Sequence, residues 1–433
     1  MSNTAVAEGT ALKKAALACF IGTFVEWFDY ASYGYLAPVI AVVFFPQENR
    51  AVSLMLTFAV FAISFILRPI GAVVWGNLGD KLGRRWALSW SILLMSGATF
   101  LIGFLPGYLA LGVGAPLLLL GLRMIQGFSA SGEYAGASTF LAEYAPPKRR
   151  GIYTSIVPAS TATGLLAGSL LVALLHATLS TPDMQAWGWR IPFLLAGPLG
   201  IIGRYIRVHL EDSPVFLELI EDSEASIPKT PIRDLFRSHL RTVLVSFGVA
   251  SLNAVAFYVI LSYMPTYLSE ELGFPAQQSF LASSITLAVY VALIFVQGDL
   301  SDHFGRRRML IVACVGFILL SVPLFGMLGG AGFVAVVAVE IGFTVMLTMN
   351  DGTLPTYLAE SFPTEVRYSG FALTFNSANA LLGGTAPFIC TWLIAQTGSV
   401  MAPAWYLVAI SVLALGAMIA AKSVSHLPTG KEA

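Results

Sequence analysis

Charge is what this 433-residue chain has least of: charged residues make up 11% of it, and the net charge is zero. Average soluble proteins carry ~25% charged residues. Without an excess of positive charge the chain has no general attraction to nucleic acid, so we expect no nucleic-acid partner. The scarcity of charge predicts instead a surface that faces lipid, and the lipid bilayer is the expected surrounding.

Cysteine and histidine are scarce as well. The three cysteines, Cys19, Cys314 and Cys390, lie inside apolar runs and have no metal-ligand spacing. The five histidines are scattered singly, so the sequence offers no His/Cys/Asp constellation for catalysis. A Walker motif is also missing, which argues against direct ATP drive. We therefore expect no metal, no cofactor and no enzymatic activity.

Hydrophobic sequence is abundant, at 57% of the chain with a mean hydropathy of +0.77. One soluble core cannot bury so much apolar surface. Apolar runs recur that can each cross ~30 Å of hydrocarbon as a helix rising ~1.5 Å per residue. We predict an all-α membrane protein with twelve transmembrane helices in two pseudo-symmetric six-helix bundles. The predicted spans lie near 15–45, 53–78, 86–106, 114–144, 152–178, 188–208, 240–268, 280–299, 309–328, 332–360, 369–396 and 402–422.

One long polar insertion divides these spans into two sets of six. It predicts an N-terminal bundle over 1–209, a linker over 210–239 and a C-terminal bundle over 240–433. If the spans alternate in direction, roughly twenty of the 24 Lys and Arg lie on one side, which the positive-inside rule makes cytoplasmic. Both termini are then predicted to be cytoplasmic.

Two short motifs occur once in each half. GNLGDKLGRR at 76–85 returns as GDLSDHFGRRR at 298–308, and LAEYAPPKRRG at 141–151 is echoed by LAESFPTEVR at 358–367. The copies of both motifs are separated by about half the chain, which is typical of transporters built from structural repeats. The first motif predicts a tight charged hairpin between two spans of each bundle.

These hairpins resemble the hallmark turn of the major facilitator superfamily. More narrowly, the chain resembles the metabolite:proton symporter family, which includes bacterial carriers of proline and glycine betaine, α-ketoglutarate, citrate and shikimate. The resemblance covers essentially the whole chain, and the proline/betaine branch is the most similar. The matching motifs are VEWFD (25–29), LRPIG (67–71), QGFS (126–129), GEY (132–134), AEY (142–144), WGWRIPF (187–193), PLGIIG (198–203), YMPTYLS (263–269) and FPT (362–364).

The resemblance implies a secondary transporter that works by alternating access in a bacterial inner membrane. A small solute and a proton are the expected partners, and a monomer is the expected working unit. The leading cargo is a zwitterionic osmolyte such as proline or glycine betaine. A di- or tricarboxylate, held by Arg68 and Arg123, is the alternative. A channel, or a sensor that does not transport, is a further class that accumulation against a gradient would exclude.

Ionisable groups inside apolar spans mark the transport site, because a charge in hydrocarbon is costly unless it faces a cavity or a partner. Glu26 and Asp29 lie one turn apart on one helix face, where mutual repulsion favours a proton on one of them. We predict a proton-coupling role for Asp29, Glu26 and Glu133. Static ion pairs with Arg68 or Arg123 are the alternative for the first two, and a structural bond is the alternative for Glu133.

Substrate contacts are predicted from polar groups at membrane depth. Asn350 and Asp351, followed by Gly352, interrupt an apolar span, as a binding cavity or a packing kink would require. Glu340 in the same span is expected at the outer water boundary. Aromatic residues could cage a cationic group or simply pack. The predicted substrate-binding residues are Arg123, Arg68, Tyr30, Tyr33, Gln126, Asn350, Asp351 and Asn376.

The hairpins are predicted gates. Asp80 and Arg84 flank one turn, and Asp302 and Arg306 flank the other. Their aspartates could face arginines or helix N-termini across the bundle interface in one conformation and release them in another. The alternative is that the basic hairpins only fix the membrane topology.

Overall fold

The chain is helical throughout the part described by its computed structural model, which covers residues 3–46, 50–221, 231–421 and 427. The middle of the predicted linker (222–230) and most of the C-terminal end (422–426 and 428–433) lie outside the described residues, as do 1–2 and 47–49. For the predicted linker, then, the structure describes its two ends.

The helices before the linker account for the predicted spans of the first half. A short helical turn, Tyr108–Leu111, lies between the fourth and fifth helices. The helices are α1 (Asn3–Phe44), α2 (Arg50–Ile66), α3 (Arg68–Leu82), α4 (Arg84–Ile102), α5 (Gly114–Ala130), α6 (Glu133–Tyr144), α7 (Pro147–Thr178) and α8 (Thr181–Val208).

Two short helices belong to the linker, and longer helices follow. Two of the long ones, Leu240–Glu271 and Thr364–Thr397, include π-helical or 3₁₀ turns, and π-helical turns are frequent at functional sites. The helices are α9 (Pro214–Glu221), α10 (Pro231–Ser238), α11 (Leu240–Glu271), α12 (Ala276–Phe304), α13 (Arg306–Gly326), α14 (Phe333–Ser361), α15 (Thr364–Thr397) and α16 (Ala402–Ala420).

Within the described residues, nine helices are long and apolar enough to cross a membrane: α4, α7, α8 and α11 to α16. The other three predicted spans correspond to α1, to α2 with α3, and to α5 with α6. The last two predictions were continuous, and the structure breaks them at Leu67 and at Ser131–Gly132. Pro69 explains the first break, because proline cannot donate the helical hydrogen bond and clashes with the preceding turn.

Large apolar side chains cover the outer faces of the helices. Leu170, Leu319 and Phe388 are each more than half exposed. Water would make so much exposed apolar surface unfavourable, whereas lipid tails solvate it. The fold is therefore that of an all-helical protein embedded in a bilayer.

The two sets of helices meet along several elements, among them α6, which packs against α14 and α15. α3 packs against the start of α15, and α7 packs against α12. Inside the first set α1 packs on α7 and α8, and inside the second set α11 and α13 pack on α16. The residues that line the interface come from both halves of the chain.

Candidate functional site

A small cavity lies between the two halves, with a volume of about 10 Å³. That is room for about one water molecule, so the cavity is closed to any solute in this structure. Both halves contribute to its walls. Its lining residues are Trp27, Tyr134, Pro158, Thr161, Asn253, Phe257, Tyr290, Asp351 and Phe375.

Asp351 is the one carboxylate in the cavity lining. Asn253 Nδ2 donates to Asp351 Oδ1 at 2.5 Å, and the Tyr290 hydroxyl donates to Oδ2 at 2.6 Å. Both donors are neutral, and among the described residues no Lys, Arg or His lies within 4.0 Å of this carboxylate. Asp351 therefore keeps its place through hydrogen bonds that do not compensate its charge.

Aromatic rings line the cavity together with Asp351, and two pairs of these lining rings bridge the halves. Tyr134 stacks on Phe375 with a centroid distance of 4.2 Å and an interplanar angle of 7°. Trp27 meets Phe257 edge to face at 5.2 Å. Because each pair takes one ring from each half, the pairs close the cavity where the halves meet.

Asp351 ends a regular stretch of helix. The α-helical hydrogen bonding of α14 runs from Phe333 to Asp351 and resumes at Leu354. A Cβ on Gly352 would lie 3.0 Å from backbone atoms of Ile294 and Gly298, so glycine permits the close approach of α12. The break permits close packing against α12 and leaves Asp351 in the cavity lining, while its role in a binding site stays a prediction.

Glu26 forms a buried ion pair beside the cavity. Arg68 Nη2 donates to Glu26 Oε1 at 2.7 Å, and both side chains are almost fully buried. The Arg68 guanidinium also lies over the rings of Tyr30, at 4.9 Å, and Phe65, at 4.7 Å. Tyr30 contacts Trp27 at a centroid distance of 5.8 Å, which links this pair to the cavity wall.

Asp29 forms a second buried ion pair. Arg123 Nη1 donates to Asp29 Oδ2 at 2.7 Å and to Gln126 Oε1 at 2.6 Å. Gln126 in turn donates to the Thr99 hydroxyl at 2.6 Å, and the Arg123 guanidinium stands 3.7 Å from the Tyr33 ring centroid. Four predicted site residues thus meet in one network, in which Asp29 is the acid and Arg123 the base.

Glu133 has a different environment from that of Asp29. Its two oxygens accept from both terminal nitrogens of Arg207, and Ser91 donates to it as well. Both side chains of the ion pair are buried. A bidentate pair of this kind is well suited to hold α1, α4, α6 and α8 together.

The remaining predicted contacts lie off the cavity or at its edge. Asn376 Nδ2 donates to the carbonyl of Ser131 across the halves at 2.8 Å. Asn350 is buried next to Asp351. The water-boundary position expected for Glu340 is wrong: the side chain is fully buried, and the Thr286 hydroxyl donates to it at 2.6 Å.

The two hairpins occupy one face of the protein, which we call the hairpin face. Gly83 and Gly305 have φ of 100° and 90°, a conformation that glycine adopts readily, so the turns form as the sequence predicts. Asp80 accepts the backbone N–H groups of Tyr368 at 3.1 Å and Ser369 at 2.9 Å, at the start of a helix in the other half.

Asp302 makes the same contact in the opposite direction. It accepts the backbone N–H groups of Gly151 at 2.8 Å and Ile152 at 3.1 Å, across the interface in the first half. Free N–H groups at a helix start carry partial positive charge, so each aspartate acts as a cap supplied by the other half. The two caps tie the halves together at the hairpin face.

The second repeated motif completes these contacts. Glu143 is paired with Arg84 at 3.3 Å in its own half and with Arg367 at 2.6 Å in the other. In the same arrangement Glu360 is paired with Arg306 at 3.6 Å and with Arg150 at 3.7 Å. Each glutamate thus connects its own hairpin to a basic residue of the other half.

The start of the linker contacts the first hairpin. Among the described residues it makes no such contact with the second hairpin. Asp212 Oδ1 accepts the backbone N–H of Arg84 at 3.1 Å, and Ser213 donates through its hydroxyl to Glu143. The Phe216 ring lies 4.7 Å from the Arg84 guanidinium. Burial raises the pKa of the Asp212 carboxyl above its usual value, although the N–H groups it accepts oppose that effect.

Sequence reasoning missed several of these residues. Phe257 and Tyr290 look like ordinary packing residues in an apolar run, so the sequence carries no signal for them. From the sequence, Arg207 counts only as one of the basic residues on the predicted cytoplasmic side. In the structure it is buried and paired with Glu133. The repeat containing Glu143 and Glu360 was visible, but its pairing with the hairpins was not predicted.

The fold and these motifs match known proteins. The sequence profile described as "Major Facilitator Superfamily" matches residues 19–387, so the chain belongs to that superfamily. A proton:xylose symporter, XylE, solved with 6-bromo-6-deoxy-D-glucose, superposes with a TM-score of 0.80 over 95% of this chain and 96% of that one, at 16% identity. That likeness shows the fold.

Sequence relatives are more specific. A proline/betaine transporter of Salmonella typhimurium is 35% identical over 99% of this chain and 87% of its own length. A glycine betaine/proline/ectoine/pipecolic acid transporter of Dickeya dadantii is also 35% identical, again over 99% of this chain and 87% of its own. The chain is therefore a multi-pass membrane transporter and not an enzyme.

Proposed function

We propose that this protein is a proton-coupled symporter that imports a small zwitterionic osmolyte of the proline and glycine betaine type. The relatives from Salmonella typhimurium and Dickeya dadantii support this class of solute, since both are similar to almost the whole chain and both are named for such solutes. Each solute in those names pairs a carboxylate with a positively charged nitrogen.

The charges of the interior support a zwitterion over a polycarboxylate. Arg68 and Arg123 are each paired with one carboxylate, Glu26 and Asp29, so the two pairs have no net positive charge with which to hold two or three carboxylates of one solute. Asp351 in the cavity adds a negative charge. A di- or tricarboxylate would meet net negative charge there, which is unfavourable in a poorly hydrated site.

Asp29 is the proton carrier in this proposal. Protonation of Asp29 removes its charge and loosens its hold on Arg123, so the network through Gln126 and Tyr33 exists in two arrangements. Glu26 and Arg68 beside the cavity wall serve the carboxylate end of the solute. Glu133, held bidentately by Arg207, is assigned a structural role.

Alternating access follows from the bundle interface. We take the twelve predicted spans as two six-helix bundles (1–209 and 240–433), joined by the linker (210–239), in a bacterial inner membrane. Both termini and the hairpin face are cytoplasmic, and the monomer transports. The caps at Asp80 and Asp302 close the cytoplasmic side, and their release opens it.

The test is uptake of labelled proline, glycine betaine, α-ketoglutarate and citrate into proteoliposomes, with and without an inwardly directed proton gradient. Gradient-driven accumulation of a zwitterion is the expected result. If only a carboxylic acid accumulates, the solute is a carboxylate and not a zwitterion. Accumulation that does not depend on the gradient would overturn proton coupling.

A further inference from the structure

We propose that Asp351 and the aromatic walls around it form a subsite for the positively charged nitrogen of the solute, a quaternary or secondary ammonium. The inference rests on the proposed function and deepens it, because it assigns the cationic end of the zwitterion to particular residues. It also explains why a carboxylate without a cationic partner lies in the cavity.

The charge of Asp351 is the first argument. A buried carboxylate is expensive unless a cation or strong hydrogen bonds compensate it. Asn253 and Tyr290 hold both oxygens but carry no charge. Away from the hairpin face, the other carboxylates described near the interface between the halves, Glu26 and Asp29, each have an arginine. A cationic ligand would therefore compensate the charge of Asp351.

The shape and chemistry of the walls are the second argument. Trp27, Tyr134, Phe257, Tyr290 and Phe375 all line the cavity together with Asp351. Aromatic faces attract cations within about 6 Å of the ring centroid, and tryptophan attracts them most strongly. Aromatic walls with a single carboxylate are the environment that recognises a methylated or ring-bound ammonium, whose apolar surface also needs burial.

The position of the site is the third argument. Trp27 and Tyr134 belong to the first half, whereas Phe257, Asp351 and Phe375 belong to the second. With a volume of about 10 Å³, the cavity admits a solute only after the walls move apart. An ammonium group bound there is contacted by both halves, so its binding favours their closure around it.

Isosteric ligands test this directly. Glycine betaine and 3,3-dimethylbutanoate have the same shape, but a carbon replaces the charged nitrogen in the second. Their inhibition of labelled glycine betaine exchange is measured in proteoliposomes with equal pH on both sides, which removes the proton gradient from the readout. We expect the wild type to favour glycine betaine by on the order of tenfold or more.

Asp351→Asn is the decisive variant. It should raise the half-saturation concentration for glycine betaine on the order of tenfold or more and bring the ratio between the two ligands towards one. Asp351→Glu keeps the charge and should restore part of the preference. Glu340→Gln, which changes another buried carboxylate of α14 outside the cavity lining, is the matched control and should leave both values unchanged.

Two further measurements keep the inference testable. If Asp351→Asn fails to fold, Phe257→Leu removes one ring without changing charge, and it should weaken glycine betaine several-fold while 3,3-dimethylbutanoate is unaffected. Independently of cargo, tetramethylammonium should raise the unfolding temperature of the purified wild type but not of Asp351→Asn.

Failure of the subsite and failure of the proposed function give different results. A wild type that accumulates glycine betaine, combined with an Asp351→Asn variant that keeps the ligand preference, overturns the subsite alone. If Asp351→Asn keeps normal exchange and preference but loses gradient-driven accumulation, Asp351 carries the proton instead, and the subsite is also overturned. A wild type that accumulates no zwitterion overturns the function, and the tetramethylammonium result then decides the subsite.

Discussion

The two halves share one architecture but compensate their buried carboxylates differently. In the first half Glu26, Asp29 and Glu133 each face an arginine. In the second half Asp351 and Glu340 are held by neutral donors. Away from the hairpin face, the buried carboxylates described in the first half are therefore compensated by arginines of the same half, whereas those described in the second half are not. We therefore propose that the halves divide the work, with proton coupling in the first and recognition of a cation in the second.

The hairpin face shows the opposite relation, in which the contacts are repeated but their burial is not. Arg84 and Glu143 are fully buried, whereas Arg306 and Glu360 are 13% and 16% exposed. The linker covers the first set of contacts through Asp212, as described above. The two predicted gates thus have matching contacts, but the linker covers only the first among the described residues, and the two should differ in strength.

Asp29→Asn should have the largest effect on transport. The substitution keeps the size of the side chain and removes the carboxyl group that we propose takes up and releases the proton. We expect gradient-driven accumulation to fall to the level of equilibration, while exchange without a gradient remains within a few-fold of the wild type. Uptake and exchange of labelled glycine betaine in the same proteoliposomes measure both.

The control for that prediction is Glu340→Gln, which removes a different buried carboxylate and should preserve accumulation. If Asp29→Asn still concentrates the solute in response to the gradient, the coupling role belongs elsewhere. The assignment of proton coupling to Asp29 of the first half would then be wrong.

Glu133→Gln should mainly affect stability. It leaves the Arg207 guanidinium buried without its anion, and breaking such a pair typically costs about 3–5 kcal/mol. We expect a markedly lower unfolding temperature in detergent, with a normal accumulation ratio in the protein that folds. A variant as stable as the wild type but unable to accumulate solute would instead make Glu133 a coupling residue.

Asp80→Asn and Asp302→Asn compare the two gates. Each substitution removes the negative charge and one acceptor from an interbundle cap, a loss of about 1–3 kcal/mol for a buried group. Asp80→Asn should lower the unfolding temperature more, because its surroundings are more completely buried. Equal losses, or a larger loss for Asp302→Asn, would show that the linker cover does not strengthen the first gate.

Ser213→Ala should have the smallest effect. Glu143 keeps Arg84 and Arg367 after the serine hydroxyl is removed, so the expected loss is about 1 kcal/mol. The matched control is Ser238→Ala, an exposed serine at the end of the other linker helix. The unfolding temperatures of both variants are compared. Identical midpoints would show that the start of the linker does not stabilise the contacts of the first hairpin.

Much of the fold could be predicted from the sequence because the bilayer imposes strong rules on it. Apolar runs of sufficient length and the repeated hairpins locate the helices and relate the halves. The break at Ser131–Gly132 was not predicted, because its compensation is tertiary: Asn376 and Tyr368 of the other half donate to the carbonyls of Ser131 and Gly132. Single-span hydropathy does not contain that information.

The charged members of the site could be found, but their pairing could be narrowed only to Arg68 or Arg123 as alternative partners of Glu26 and Asp29. Burial of Asp29 or Arg123 in a span is visible in the sequence, because intramembrane charge is rare. Which base faces which acid depends on helix packing, and Arg207 was therefore not matched with Glu133. Aromatic walls such as Phe257 were not distinguishable from packing residues, since only the assembled cavity selects them.

A side-by-side measurement of Asp29→Asn and Asp351→Asn tests the division between the halves most directly. Both variants and the wild type are assayed for gradient-driven accumulation and for the half-saturation concentration in exchange with glycine betaine. We predict that Asp29→Asn loses accumulation with little change in half-saturation, and that Asp351→Asn loses affinity on the order of tenfold or more in exchange. The same defect in both variants, or the two defects interchanged, would contradict the account.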